Sequence, residues 1–376
     1  MAGKTKRLRV LFTIPNFDTA GSGKALLKVA SRLNPYRFDV QIACIHKRGK
    51  FFKMVEDSGF PIHIINYLHP MSNRISGLRH CIKVARQFRK IKPDIIHSYN
   101  YSADYSEALA AQLAGCKWVY TKKNMNWGGA SANGWKLRTW LANHIAYQNH
   151  DMKTEFFPDS TKVSYVPRGV DMEEFSPGQP KASIRDEFSL SGREFVFMCV
   201  ANLVPVKGIE VLIEAFASLN DKDKDLKLII VGDDQNDYGQ QLQRKVKEEY
   251  KLENVVFTGK RSDVKDLLHL CDVFVLPTLN EGRREGSPVA LLESMASGCL
   301  VLGSAIAGVK DQLKEFPNLL FEAGNSEQLK ERMQALFELN EADKEHLKQQ
   351  LVEYVKAQLL IELEVQRHEA LYEKIS

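Results

Sequence analysis

Apolar residues along the chain fall into short unbroken runs separated by stretches of helical spacing. In the first half the runs are Arg9–Ile14, Phe38–Ile45, Asp94–His97, Trp118–Thr121 and Val163–Val166. Each is short, apolar and rich in Val, Ile or aromatic residues, which predicts strands. Helical spacing predicts helices among them, as at Ala25–Leu33 and Leu78–Ile91. The second half repeats the scheme. Strands are expected at Phe195–Val200, Lys227–Gly232, Val255–Phe257, Val273–Leu276 and Leu300–Leu302, with helices at 207–219, 237–250, 262–270 and 287–297. Unbroken apolar strands alternating with helices belong to parallel sheets covered on both faces. The pattern therefore predicts an α/β chain of two doubly wound domains.

A stretch rich in Pro, Gly and charge, Gly169–Glu187, is the expected linker. The expected division is 1–168, then 169–355, then a helical segment over 356–376. In doubly wound sheets ligands bind beyond the carboxyl ends of the strands, so two such domains facing each other hold one substrate apiece.

Composition narrows the class. A chain of 376 residues, 44% hydrophobic and 26% charged, is neither collagen-like nor of low complexity. No window approaches the roughly 18 uninterrupted apolar residues of a membrane span. The stretch Met1–Arg9 is basic but lacks the apolar core of a signal peptide. Cys44, Cys81, Cys116, Cys199, Cys271 and Cys299 are scattered without a C-x-x-C pair. That spacing points to reduced thiols in a cytoplasm and away from a zinc site or disulfide framework. The net charge of +5 hides an asymmetry: residues 1–175 carry 27 Lys/Arg against 13 Asp/Glu, and residues 176–376 carry 25 against 34. A basic half suits nucleic acid, an anionic membrane face or a phosphate-bearing substrate. Dispersed cations without a recognised binding motif argue against nucleic acid.

Three strand-to-helix turns carry candidate chemistry. Asp18–Leu26 follows the first strand. As a P-loop it lacks the opening glycine and the final hydroxyl, having Asp18 and Ala25 there; as a dinucleotide fingerprint it has Gly21 and Gly23 but Leu26 in the third glycine's place. A small-residue turn that lets a phosphate or sugar approach backbone N–H groups remains, beside a turn that is merely flexible. In the second half Lys207-Gly208 precedes an amphipathic helix, where a cation adds to the unpaired N–H groups; a solvated turn is the plain alternative. Glu285 and Glu293 are separated by seven residues, with Gly286, Ser287 and Pro288 turning into the helix that contains Glu293. Glu293 falls on the face of Val289, Leu292 and Ala296, where a carboxylate needs a partner. A ribose diol donating two hydrogen bonds fits, and so does a glutamate that snorkels to the surface.

Taken together these segments resemble the retaining glycosyltransferases of family four, with the GT-B architecture of two Rossmann-like domains facing across a cleft. Glu285 to Glu293 is similar to the family's E-x7-E motif, followed by Ser294-Met-Ala-Ser-Gly298. Val166–Pro177 is similar to its interdomain P-N-G-V-D-x-x-x-F-x-P, and Leu203-Val-Pro-Val-Lys-Gly208 to its L-V-P-x-K-G loop. Ile229–Gly232 and Val256–Gly259 match two further strand ends. The resemblance implies that the C-terminal domain binds a UDP- or GDP-sugar and that the terminal helix returns to the N-terminal domain. Lys207, Gly208 and Gly259 would lie about the diphosphate and nucleotide, and Glu293 on the ribose. Glu285, with the backbone of Gly286, Ser287 and Pro288, would face the sugar. Gly21 would lie near the diphosphate and Gly23 on the acceptor side. The donor is a substrate, with no cofactor and no metal implied: the chain offers no D-x-D triplet, and His144 and His150 are six apart, which suits no ligand pair. The acceptor implied is a glycan or a lipid-linked sugar of surface polysaccharide synthesis, met in the cytoplasm at the inner face of the plasma membrane. A catalytically silent nucleotide-sugar-binding protein, and an epimerase or hydrolase on the same fold, are the other readings.

Two departures bear on the chemistry. Asn202 stands where the family usually has an arginine, so Arg283 or Arg284 would supply the missing cation or else be solvated loop residues. Lys123 or Asn124 stands where the family often has a histidine, leaving the acceptor-side role open; His97, at the preceding strand end, is either a cleft residue with a catalytic part or a core histidine. Finally, the helix over Gly77–Ile91 is expected to show Leu78, Ile82, Ala85, Phe88 and Ile91 on an apolar face and Arg79, Lys83, Arg86 and Lys90 on a basic one. It either packs on the sheet with a solvated basic side or attaches the protein to an anionic leaflet.

Overall fold

A computed structural model describes residues 6–18, 20–49, 51–127, 131–220, 225–282 and 285–376. Among them the first sheet takes its strands from β1 (Leu8–Thr13), β2 (Phe38–Cys44), β3 (Ile62–Ile64), β4 (Ile95–Ser98), β5 (Lys117–Lys122), β6 (His144–Tyr147) and β7 (Val163–Tyr165). They are all parallel, in the order β3-β2-β1-β4-β5-β6-β7. The second sheet has β8 (Phe195–Val200), β9 (Leu226–Val231), β10 (Val255–Phe257), β11 (Val273–Leu276), β12 (Leu300–Ser304) and β13 (Leu320–Phe321). It is parallel too, in the order β10-β9-β8-β11-β12-β13. Consecutive residues of the central strands are fully buried, such as Val10-Leu11-Phe12 and Phe197-Met198-Cys199, because helices cover both faces. The winding reverses beside β1, flanked by β2 and β4, and beside β8, flanked by β9 and β11. Such switch points leave a crevice at the carboxyl ends of the flanking strands.

The chain divides into two compact units, one running to Pro167 and completed by Ile361–Ser376, the other Arg168–Leu360. Ile361, Val365, Leu371 and Tyr372 belong to the core of the first unit beside Val10, Phe12, Phe38 and Ile95. In the second unit the helix Ile209–Leu219 buries Ile209, Leu212, Ile213 and Phe216 against β8 and its neighbours.

Three strands escaped the sequence pattern. β3 is interrupted by His63, β13 is two residues long, and β6 begins with a histidine, so none forms a recognisable apolar run. The terminal helical pattern is two helices, Glu341–Gln358 and Ile361–Ile375. The break is fixed where the Val170 N–H donates to the Leu359 carbonyl at 2.8 Å. The expected linker is partly regular, ending in the helix Ala182–Glu187.

The basic helix spans Arg74–Ile91, with the Asn73 side chain accepting from the Ser76 N–H at its start. Its buried face is Gly77, Cys81, Val84, Ala85 and Phe88. Leu78 and Ile82 are therefore not on the sheet side, correcting the expected apolar face; Ala85 and Phe88 are shared by the two faces, and the buried arc is turned toward the positions just before Leu78 and Ile82. All six cysteines are free and buried. Burial pushes Cys44, Cys81 and Cys116 up to about 11 and Cys199 up to about 12, so none of these four is a ready thiolate at neutral pH. No helix among the described residues is long and apolar enough to cross a membrane.

Candidate functional site

The switch point of the second unit is built from the loops that follow β8 and β11. After β8 the chain makes a short turn at Pro205–Lys207 and enters the helix Ile209–Leu219 through Gly208. Gly208 is left-handed at φ 62, and a Cβ there would run into the Pro277 carbonyl, which follows β11. Only glycine lets the two loops approach this closely. The Leu279 N–H then donates to the Val206 carbonyl at 2.8 Å, tying them together. The consequence is a contact between residues 78 positions apart: the Lys207 ammonium donates to a carboxylate oxygen of Glu285. Both side chains stay open to solvent, 19% and 24% exposed, so the pair faces outward from the strand ends.

The turn after Glu285 is braced from below. Gly286 is buried, and its carbonyl lies so close to Gly308 (φ 81) that a Cβ on Gly308 would strike it. Buried Gln312 donates through Nε2 to the Ser287 hydroxyl and to the Pro288 carbonyl, both at 3.1 Å. Pro288 is the cap residue before the helix Val289–Ala296. Glu293 lies in its second turn, half-buried like Val289 and Ala290, beside the wholly buried Leu292 and Ala296. Gly259, at φ 70, accepts through its carbonyl from the Gly232 N–H at 3.1 Å and so joins the ends of β9 and β10. Asn202 is exposed in the loop after β8. Arg283 and Arg284 lie outside the described residues.

The first unit has its own polar cluster at the β1/β4 switch point. The helix after β1 is Ala20–Ala30, starting five residues before the expected helix. Gly21 and Gly23 are thus helical, not part of a preceding turn. Gly21 is exposed with open space about it, whereas a Cβ on Gly23 would come 2.8 Å from the Phe17 ring and 3.0 Å from Phe51. Gly23 is there for packing. Between them, the Ser22 hydroxyl accepts from the Lys123 ammonium at 3.2 Å. The same ammonium donates to the Tyr99 carbonyl and lies 5.1 Å from the Tyr99 ring centroid. Lys123 is therefore drawn to the β1 and β4 ends. Asn124 accepts from the Lys122 ammonium at 3.1 Å and from the Asn126 N–H at 3.2 Å, which holds its own loop.

His97 is in the core. It is fully buried, Nδ1 lying 2.6 Å from the Tyr372 hydroxyl and Nε2 2.8 Å from Thr121 Oγ1. Burial, with His368 and Lys123 nearby, holds its pKa well below the ordinary histidine range. A neutral ring with both nitrogens engaged has no proton or lone pair to offer a substrate, so the cleft placement is corrected to a packing one. Tyr372→Phe is expected to lower stability by about 1–2 kcal/mol through the lost hydrogen bond while leaving turnover within twofold. Urea unfolding beside steady-state kinetics checks this; a large fall in turnover with unchanged stability would return His97 to the chemistry.

One feature gave no signal in the sequence. Glu107, fully buried, accepts from the Ser98 hydroxyl at 2.6 Å and from Thr13. Arg138, equally buried, donates to Ser98 Oγ at 3.2 Å and to the carbonyls of Asn100 and Ser102 at 2.9 and 2.7 Å. Its guanidinium also lies 4.8 Å from the Tyr120 ring centroid. Charged residues within short helices read as solvated, and only the fold brings these two inside.

Comparison with known proteins places these features. Residues 180–357 match the family described as glycosyl transferases group 1, and residues 19–174 match glycosyltransferase family 4. The chain is 28% identical over 307 residues, 76% of each chain, to the UDP-Gal:alpha-D-GlcNAc-diphosphoundecaprenol alpha-1,3-galactosyltransferase of Escherichia coli. Its fold is similar to that of a glycosyltransferase from Rickettsia africae ESF-5, with TM-score 0.86, 18% identity and 99% of both chains covered. It is also similar to Anabaena Alr3699/HepE in complex with UDP, with TM-score 0.82, 18% identity, and 98% and 100% of the two chains covered. These likenesses identify the pair of Rossmann-like sheets as a GT-B architecture. The chain belongs to the glycosyltransferases of group 1, within glycosyltransferase family 4.

Proposed function

We propose that the protein is a retaining, metal-independent glycosyltransferase that moves a sugar from a UDP- or GDP-sugar to a glycan or lipid-linked acceptor in surface polysaccharide assembly. The observation that carries this reading is the Lys207–Glu285 contact at the β8/β11 switch point, beside the amino end of the helix Ile209–Leu219. Breaking the sugar–phosphate bond puts positive charge on the anomeric carbon and negative charge on the diphosphate. Stabilising the latter is the largest catalytic contribution to expect. Lys207 supplies the cation, the helix amino end supplies unpaired N–H groups, and Gly208 lets the phosphate approach. Glu285 aims the ammonium and accepts from sugar hydroxyls, with the backbone of Gly286, Ser287 and Pro288 beside it. Glu293 accepts from the ribose hydroxyls, and Gly259 leaves room for the nucleoside. With Asn202 neutral, Arg283 or Arg284 completes the positive charge.

Retention follows when the acceptor hydroxyl attacks from the leaving-group side. The new C–O bond forms as the anomeric carbon's bond to the phosphate oxygen breaks, and that departing oxygen takes the hydroxyl proton. The first unit takes the acceptor, with Gly21 giving open space and Lys123 and Asn124 lining the approach. The E. coli relative's name pairs a UDP-sugar with a diphosphoundecaprenol-linked sugar, which makes that the first pair to try.

Nucleotide release from UDP-, GDP- and ADP-sugars, with chelator present and with or without membrane lipid extract, tests the reading. Chelator-resistant release from one donor, stimulated by extract and yielding a product of unchanged anomeric configuration, is expected. Release that ignores the acceptor would replace it by hydrolase or epimerase chemistry. Tight nucleotide binding without turnover would replace it by a silent binding protein.

A further inference from the structure

We infer that the helix Arg74–Ile91 docks the protein on an anionic lipid bilayer, with Ile75, Leu78 and Ile82 entering the interface. The helix has two different faces, and its core face is already spoken for: Gly77, Cys81, Val84, Ala85 and Phe88 are buried in the first unit. Away from it, Ile75 is 69% exposed, Leu78 46% and Ile82 39%. These three follow one another at spacings of three and four, so they form one stripe. Isolated exposed aliphatics are ordinary, but a stripe of three on one helix is a contact surface in search of a partner.

Charge says which partner. Arg79 and Arg86 are exposed four positions after Ile75 and Ile82, Lys83 is exposed next to Ile82, and Arg89 and Lys90 are exposed beyond them. Residues 58–93 carry seven Lys/Arg and no Asp/Glu. Long cationic side chains lay their methylene stems along an apolar surface and keep their heads at the level of lipid phosphates. A nucleic-acid backbone would use the cations but leave the three aliphatics in water. A protein partner would bury the aliphatics, but it would also have to answer seven cations with no acidic residue among them, whereas charge is depleted at the centres of protein interfaces. An anionic interface satisfies both.

Position supports this. The helix follows β3 and crosses back to β4, so it runs antiparallel to the parallel strands and its amino end lies at their carboxyl edge. The preceding loop is tied there, where the His69 N–H donates to Ser106 Oγ at 3.0 Å at the start of the helix after β4. Ile75 and Leu78 therefore sit toward the strand-end edge of the first unit. A lipid-linked acceptor would be presented to that edge by the membrane itself; the inference rests on the acceptor reading for its purpose, not for its physics.

The test needs neither donor nor acceptor. The full chain is sedimented with vesicles of phosphatidylglycerol and phosphatidylethanolamine, or of phosphatidylcholine alone, at low and high salt. Wild type is expected to partition to the anionic vesicles at low salt and to be released by salt. Each cation near the surface is worth roughly fivefold, so Arg79→Gln/Lys83→Gln/Arg86→Gln should weaken binding about a hundredfold. Ile75→Ser/Leu78→Ser/Ile82→Ser should weaken it at least tenfold and leave a salt-sensitive remainder. Unchanged circular-dichroism melting certifies both variants as folded. Equal partition of wild type and both variants overturns the inference, as does indifference to lipid charge. So does a wild-type dimer in sedimentation equilibrium that the serine variant dissolves, since the stripe would then be a protein interface. Turnover of a water-soluble acceptor analogue stays at the wild-type level in both variants. Its loss from wild type under all conditions would instead count against the transferase reading.

Discussion

Lys207→Ala is expected to reduce turnover of the nucleotide-sugar by roughly 10²–10³-fold, the usual cost of removing one donor aimed at developing charge. The more telling part is the partner. Lys207 and Glu285 are in direct contact, so each screens the other. Removing the ammonium leaves a carboxylate facing the place proposed for the diphosphate, and the loss then includes a repulsion that the parent does not have. Binding of the free nucleoside diphosphate, read by calorimetry, should weaken at least tenfold in Lys207→Ala and recover in part in Lys207→Ala/Glu285→Gln. Turnover should not recover, because Glu285 is itself proposed to accept from the sugar hydroxyls. Such a split between binding and chemistry is the signature of two groups acting as a unit. Additive losses in both quantities would show that the contact is incidental. Lys207→Arg should not rescue fully, since a planar guanidinium does not reproduce a compact point charge.

Arg138→Met is the second large effect, and it falls on stability. Glu107 and Arg138 are buried opposite charges joined through the Ser98 hydroxyl, and the roughly 3–5 kcal/mol typical of stranding one member of a contacting buried pair is the upper end of the expected cost. Here the stranded group is Glu107, whose pKa is already raised by burial and is held down chiefly by Arg138. A carboxyl whose folded pKa lies above its unfolded value of about 4.5 binds more protons folded than unfolded between those two values. Stability therefore falls as pH rises through that window. Removing Arg138 pushes the folded pKa higher and widens the window upward. The deficit of Arg138→Met in urea unfolding should thus be small near pH 5 and grow toward pH 8. Arg138→Met/Glu107→Gln should regain much of it and lose the pH dependence. A deficit independent of pH would mean that the lost contacts to Asn100 and Ser102, and not the charge, carry the cost.

Long apolar strands were legible because a parallel sheet buries both faces and writes itself as an unbroken run. Val255–Phe257 and Val273–Leu276 coincide with β10 and β11 residue for residue, and β8 likewise. Among the short edge strands, β10 reads as an unbroken Val-Val-Phe run, whereas β3 is interrupted by His63 and β13 has only two residues. Helix starts were less certain than helix existence. The helix after β1 recruits Gly21 and Gly23, which propensity alone would exclude, because Gly23 fits against Phe17 and Phe51. On the basic helix the spacing fits two overlapping arcs, and only tertiary packing chose the one holding Gly77 and Cys81. Among the candidate site residues, Lys207 and Glu285 were marked by motif and are brought into contact. The sequence leaves His97 open between cleft and core for a simple reason: a histidine at a strand end reads as reactive, and nothing local reveals that Tyr372 closes over it. The Glu107–Arg138 pair was invisible because burial of charge is a property of the fold, not of a helix wheel.

The return of Ile361–Ile375 to the first unit also has a bearing on biosynthesis. The core around Phe12, Phe38 and His97 takes one of its walls from Ile361, Val365, Leu371 and Tyr372. As the chain is synthesised, the first seven strands are made well before Ile361–Ser376, the segment that completes their unit. The usual order, in which an amino-terminal domain is complete before the rest is made, does not hold for this unit. During that interval an incomplete apolar core waits in the nascent chain, exposed to chaperones and to neighbouring ribosomes. Slow translation between Arg168 and Leu360 is expected to prolong that wait and lower the soluble yield, which pulse-chase of synonymous-codon variants would read.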